Sequence, residues 1–263
     1  MSNLYRTSID YGGWFSFNST RKGWNPEYAE KMLNHFFSMS LMRKMFKGYN
    51  ITDELLITTN INYSSMEGKS ALVIGGGPSS NLLNDEIFDS YDYVFSCNHF
   101  YKNEFLSKKK VNVILVGDEV NLQDGQFLDY INTFKPLLGF EHSSKRTTYQ
   151  IASLQDSYPR IFVYLTRYFS RLGYVPRAMI LAKMFGVSQI GFIGMDGFKS
   201  NKHYFENNKQ PPSFNKTDLF QEQMRIFCNY MYNDLGCKKG QITNLGEDYE
   251  DNIYNGILEE YNK

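Results

Sequence analysis

The chain is poor in cysteine, with only Cys97, Cys228 and Cys237 in 263 residues. Three thiols cannot all pair, and none has zinc-ligand spacing, so a disulfide framework or zinc ribbon is excluded and a reducing compartment is expected. Excess charge is absent too. Twenty-eight basic and 28 acidic residues give a formal net charge of +0. The overall field therefore carries no footprint for nucleic acid, and any anion must be held locally. No apolar run approaches the roughly 20 residues of a membrane span, and Met1–Thr7 lacks the apolar core of a secretory leader. The expected location is the cytoplasm, where the sequons at Asn18, Asn50, Asn62 and Asn215 mean nothing. Internal repeats and low-complexity tracts are missing, as is any Asp-x-Asp pair, so nothing in the sequence supports a metal site.

What is present suffices for a proper core: 42% of residues are hydrophobic and 16% aromatic. Residues 1–67 show no strong strand pattern. They contain the cluster Trp14, Phe15 and Phe17 and one helix opening at Asn25-Pro26-Glu27, an N-cap followed by proline at the first helical position. Met32, Phe36, Met39 and Phe46 form its apolar stripe, which suits packing on the rest of the chain or a contact with a second copy. Lys44 and Lys47 at its end would also suit the inner surface of a membrane, the less favoured reading.

From Lys69 onward the pattern changes. Strand-like runs at 71–74, 93–97, 111–116, 161–164 and 189–193 alternate with segments able to be helical, and a short strand near 241–243 follows. Helices are expected over 176–185, closed by Gly186, and over 217–234, ending near Gly236. The alternation predicts an α/β fold with a mostly parallel sheet covered on both faces. The expected division is a helical extension over 1–67 packed on a main domain over 68–263.

In such sheets ligands bind beyond the carboxyl ends of the strands. The first strand ends in Gly75-Gly76-Gly77-Pro78-Ser79, where glycines let backbone approach a phosphate and Ser79 offers a hydroxyl or a helix cap. The third glycine of the dinucleotide fingerprint is missing, and Gly68-Lys69-Ser70 precedes the strand instead of following it as in a P-loop. The second strand ends in Asn98-His99, the third in Asp118-Glu119, and the fifth in Asp196. Amides there can read a base or bind a phosphate, and carboxylates can accept ribose hydroxyls, so the set points to a nucleotide. Each also has a plain structural use: Asn98 and Asp118 as caps, Asp196-Gly197 as a turn pair. His203, in a polar loop, competes with His99 as the histidine best placed to act as a base.

Gly75-Gly-Gly-Pro-Ser79, then Cys97-Asn98-His99-Phe100-Tyr101, then Arg171, then Gly194-Met-Asp196 with Tyr204 beyond, resembles the bacterial lipooligosaccharide sialyltransferases of glycosyltransferase family 42. The resemblance runs from about Lys69 to Thr243 and lies in the order and spacing of short motifs. It implies a Rossmann-like three-layer sandwich with a lid, binding a CMP-linked sugar and transferring it with inversion to a surface glycan, without a metal for the chemistry. It further implies that Gly75, Gly76, Gly77, Ser79, Asn98 and Asp196 hold the nucleotide, and that Arg171 and His99 line the donor pocket. Tyr204 is implied to hydrogen-bond the departing phosphate.

The chain departs from the family at four places. Phe198 replaces a second phosphate-binding tyrosine, Tyr174 a small serine of the donor pocket, and Asp118 an asparagine. The histidine expected shortly before Thr217-Asp218 is missing. His203, Asp118 and Glu119 are the remaining candidates for general base. The aspartate at 118 is instead natural in the archaeal hydroxymethylpterin diphosphokinase-like family, which the strand turn also resembles and where magnesium serves phosphoryl transfer. A third reading is an inactive relative that retains the nucleotide cradle without acid–base groups.

Overall fold

The computed structural model describes residues 50–51, 56–58, 64–117, 119–141, 154, 157–164, 173–196, 217–247 and 254–263. The helix expected from Asn25 and the Trp14 cluster lie outside them.

Among the described residues nine strands form one sheet: β1 (Asn50–Ile51), β2 (Leu56–Thr58), β3 (Ser70–Ile74), β4 (Tyr93–Cys97), β5 (Val113–Val116), β6 (Leu137–Glu141), β7 (Ile161–Tyr164), β8 (Gln189–Ile193) and β9 (Ile242–Asn244). Their order across the sheet is β1-β2-β7-β6-β5-β4-β3-β8-β9. Every pairing from β7 to β9 is parallel. β1 and β2 add an antiparallel edge on β7, so residues 50–51 and 56–58 of the segment expected as an extension join the sheet itself.

The central strands are mostly apolar because both faces are covered. Side chains alternate between the faces. Val73, Phe95, Val113, Leu115, Phe162 and Phe192 point to one side with α3 (Tyr174–Met184), α4 (Thr217–Asn229) and α5 (Asn255–Asn262). Leu72, Ile74, Val94, Ile114, Phe140 and Ile193 point to the other with α1 (Asp85–Asp89) and α2 (Gly125–Phe134). The result is the expected three-layer α/β sandwich.

Local chemistry sets the helix ends. Asn84 caps α1 by accepting from the Ile87 amide at 2.9 Å, and Asp124 caps α2 by accepting from Gln126 at 3.0 Å. Pro176 sits in the first turn of α3, where no intrahelical amide is lost. The helix expected to run to residue 234 stays α-helical to Asn229 and then widens into a π-turn over Tyr230–Asp234. There Leu235 N donates to Tyr230 O at 3.0 Å.

All three cysteines are packed. Burial, reinforced by the Glu119 charge, pushes the Cys97 thiol up to about 12; burial does the same for Cys228, to about 12, and Cys237, to about 11. Nucleophilicity belongs to the thiolate, so native protein at pH 8 should react with an aromatic disulfide reagent only slowly at every cysteine, with three thiols appearing on denaturation. Rapid native labelling of even one would contradict the packing described.

Candidate functional site

The sheet changes direction between β3 and β8. Strands β4 to β7 follow β3 on one side, while β8 and β9 lie on the other, so the loops leaving β3 and β8 meet at the crevice where such folds hold ligands. Here the two loops are bonded to each other. Gly75 N donates to Ile193 O at 2.8 Å, and Gly77 N to Gly194 O at 2.8 Å. Gly194 N donates to Ser79 Oγ at 2.8 Å, and Ser79 N to Asp196 Oδ2 at 2.7 Å. Ser80 Oγ closes the set on Gly75 O at 2.6 Å.

This crossing gives the glycines a structural cause beside the expected one. A Cβ at Gly77 would stand 2.6 Å from both Asp196 Oδ2 and the Gly194 carbonyl oxygen. One at Gly75 would collide with that same oxygen and stand 2.5 Å from Val175 Cγ2. Ser79 caps no helix: the chain makes only a short 3-10 turn over Pro78–Leu82, with Gly77 before it. Its hydroxyl accepts from the other loop instead. Asp196 is 4% exposed and lies under the turn. Gly75, Gly77, Ser79 and Asp196 thus form one bonded unit, with Gly76 half-buried among them.

A second cluster lies at the ends of β4 and β5. Asn98 adopts φ +51°, a left-handed conformation that asparagine tolerates better than most residues. That turn brings its side chain across to the next strand, where Oδ1 accepts from Gly117 N at 2.8 Å and Nδ2 donates to Glu119 Oε1. The hydroxyl of Tyr174, the first residue of α3, reaches the same spot. A Cβ on Gly117 would stand 2.8 Å from Tyr174 Oη and from Asn98 Oδ1, and would collide with Glu119 Oε2. An amide, a carboxylate and a phenol therefore converge over one glycine. His99 is half-buried and meets Tyr101 edge-on, with ring centroids 6.1 Å apart.

The structure brings Asn98 and Tyr174 together and unites Gly75, Gly77, Ser79 and Asp196. Asp118, Arg171, Phe198, His203 and Tyr204 lie outside the described residues. Among the described residues no group of three or more His, Cys, Asp or Glu side chains could hold a metal ion. Sequence reasoning missed a third feature, the ion pair between Glu141 at the end of β6 and Arg177 on α3, Nε to Oε1 2.8 Å. No motif marks it, because its partners meet only once β6 and α3 are assembled.

No family model matches the chain, and no curated protein sequence does. Solved structures do. The chain is similar to the monofunctional alpha-2,3-sialyltransferase Cst-I from Campylobacter jejuni, at 17% identity over 76% of this chain and 81% of that one, with a TM-score of 0.47. It is similar to the sialyltransferase CstII from the same organism, solved with cytidine-5'-monophosphate, at 15% identity over 68% and 80%, TM-score 0.43. A mammalian sialyltransferase in complex with Gal-beta-1-3GalNAc-ortho-nitrophenol gives 11% identity over 93% and 88%, TM-score 0.49. All three are sialyltransferases. The likeness is one of fold, and identities this low carry no side-chain roles across to the present chain.

Proposed function

We propose that the chain is a sialyltransferase-like glycosyltransferase, moving a sugar from a CMP-linked donor to a glycan acceptor. The observation that supports this most directly is the convergence of Asn98, Glu119 and Tyr174 over Gly117, beside the Gly75–Asp196 crossing at the switch of the sheet. In the reading adopted, the nucleotide lies along the ends of β3, β4 and β8, with Gly76 and Asn98 against it. Glu119 suits hydroxyls, since a carboxylate accepts from ribose or sugar and repels phosphate.

An acceptor hydroxyl attacks the anomeric carbon from the face opposite the nucleotide. The anomeric C–O bond breaks, its electron pair stays on the CMP phosphate, and the configuration inverts. Tyr204 stabilises the leaving phosphate by hydrogen bonding, while Phe198 has no hydroxyl to add. A base must take the acceptor proton, and His203, Asp118 and Glu119 are the candidates. As proposed, the reaction requires no metal. Among the described residues no helix is long and apolar enough to cross a membrane. The proposed setting is the cytoplasm.

Calorimetric titration of the folded protein with CMP tests the reading. Binding is expected, and Asn98→Ala should weaken it about tenfold, the value of one hydrogen bond to a charged or strongly polar ligand group. Folded protein that ignores CMP would remove the proposal. Equal binding by Asn98→Ala would move the site elsewhere.

A further inference from the structure

Glu141 and Arg177 are only 12% and 13% exposed, too deep for a pair that serves the surface. Burying two charges is costly unless the geometry is excellent and further hydrogen bonds satisfy them. Arg177 has such bonds. Its Nε meets Glu141 Oε1 at 2.8 Å, and its Nη1 donates to Gly173 O at 2.7 Å, the residue immediately before α3. Its guanidinium lies over the Tyr174 ring, Cζ 5.7 Å from the centroid. One guanidinium thus makes three contacts on two elements: the end of β6, the entry to α3, and the aromatic ring that α3 carries toward Gly117. Lysine, a point charge on a flexible stem, cannot reproduce that set. Neighbouring Tyr164, paired with Glu141 in the sheet, is fully buried.

We propose that Arg177 is the positioning residue of the donor pocket. Clamped by Glu141, it fixes the first turn of α3 and the Tyr174 ring, and so sets where the Tyr174 hydroxyl stands beside Asn98 and Glu119. Arg177 itself touches no ligand in this scheme; it acts through Tyr174. The inference rests on the reading of this rim as a CMP-sugar site.

The test is a cycle of Arg177→Gln and Tyr174→Ala, each variant checked for a cooperative melt and titrated with CMP. Arg177→Gln is expected to weaken CMP binding at least tenfold in the native background and less than twofold when Tyr174 is already alanine. A purely structural role would weaken both backgrounds alike, and that additive result overturns the proposal. A second readout needs no ligand. With 3-fluorotyrosine placed at position 174, Arg177→Gln should shift or broaden its fluorine resonance, and an unchanged signal overturns the proposal whether or not CMP binds. Native protein that fails to bind CMP refutes the donor-site reading alone, leaving the fluorine signal to judge Arg177. Should Arg177→Gln not fold, the pair E141M/R177M, which removes both charges and keeps the volume, enters the same comparisons.

Discussion

Gly194→Ala is expected to be strongly destabilising. Residue 194 sits at φ +79°, and its added Cβ would collide with Ser80 Oγ and the Gly75 carbonyl oxygen, with the carbonyl carbon at 2.7 Å. Left-handed backbone costs a non-glycine residue about 1–2 kcal/mol, and a methyl forced into packed surroundings adds about 1–3. The sum is about 2–5 kcal/mol, or a fall in midpoint of roughly 4–20 °C for a domain of this size. Gly240→Ala is the control. It shares the conformation, φ +73°, but has nothing within 4 Å of the new methyl, so only the backbone cost of about 1–2 kcal/mol applies. Thermal melts of both variants check the difference; equal losses would mean that the crossing of the two loops is not tightly packed.

Asp196→Ala is expected to cost about 2–4 kcal/mol, because it strips a buried backbone donor of a charged acceptor. The Ser79 amide donates to Asp196 Oδ2 at 2.7 Å, and both residues are buried. Asp196→Asn keeps a side-chain oxygen at the same place and should lose less than half as much. Denaturant unfolding of the two variants measures the pair. If asparagine proves as harmful as alanine, the negative charge and not the hydrogen bond is what the crossing requires.

These two variants also show where sequence reasoning reached and where it stopped. Strands at β3, β4, β5, β7 and β8 were readable because each is a short apolar run with β-branched or aromatic residues and a turn behind it. β6 was not, for Pro136 precedes it and Gly139 interrupts it. That glycine is needed because a Cβ there would stand 2.5 Å from Phe162 Cζ, a contact only the assembled sheet reveals. The antiparallel edge of β1 and β2 is too short to leave a pattern. α5 has polar residues at half its positions and owes its place to packing on α4 by Ile257 and Leu258.

The site divides in the same way. Gly75 to Ser79, Asn98 and Asp196 are visible because they stand at strand ends, where an α/β sheet concentrates its ligand-facing groups. The partners of those residues are not visible. Nothing local links Ser79 to residue 194, Asn98 to Glu119, or Arg177 to Glu141, since each pair is made by strands and helices meeting in space. Glycines at 75 and 77 illustrate the difference: the pattern suggested room for a phosphate, and the fold shows that the same absence of side chain lets two loops cross.

That crossing also orders events on the ribosome. Ser79 and Gly194 are 115 positions apart, so β3 emerges long before the strand that will cover its second edge. Until residues 189–196 are made, β3 is a bare margin of Ala71, Leu72, Val73 and Ile74 with unpaired amides and carbonyls, the kind of margin that captures other chains. The late arrival of β8 pairs that margin from Ser70 to Ile74 and closes it.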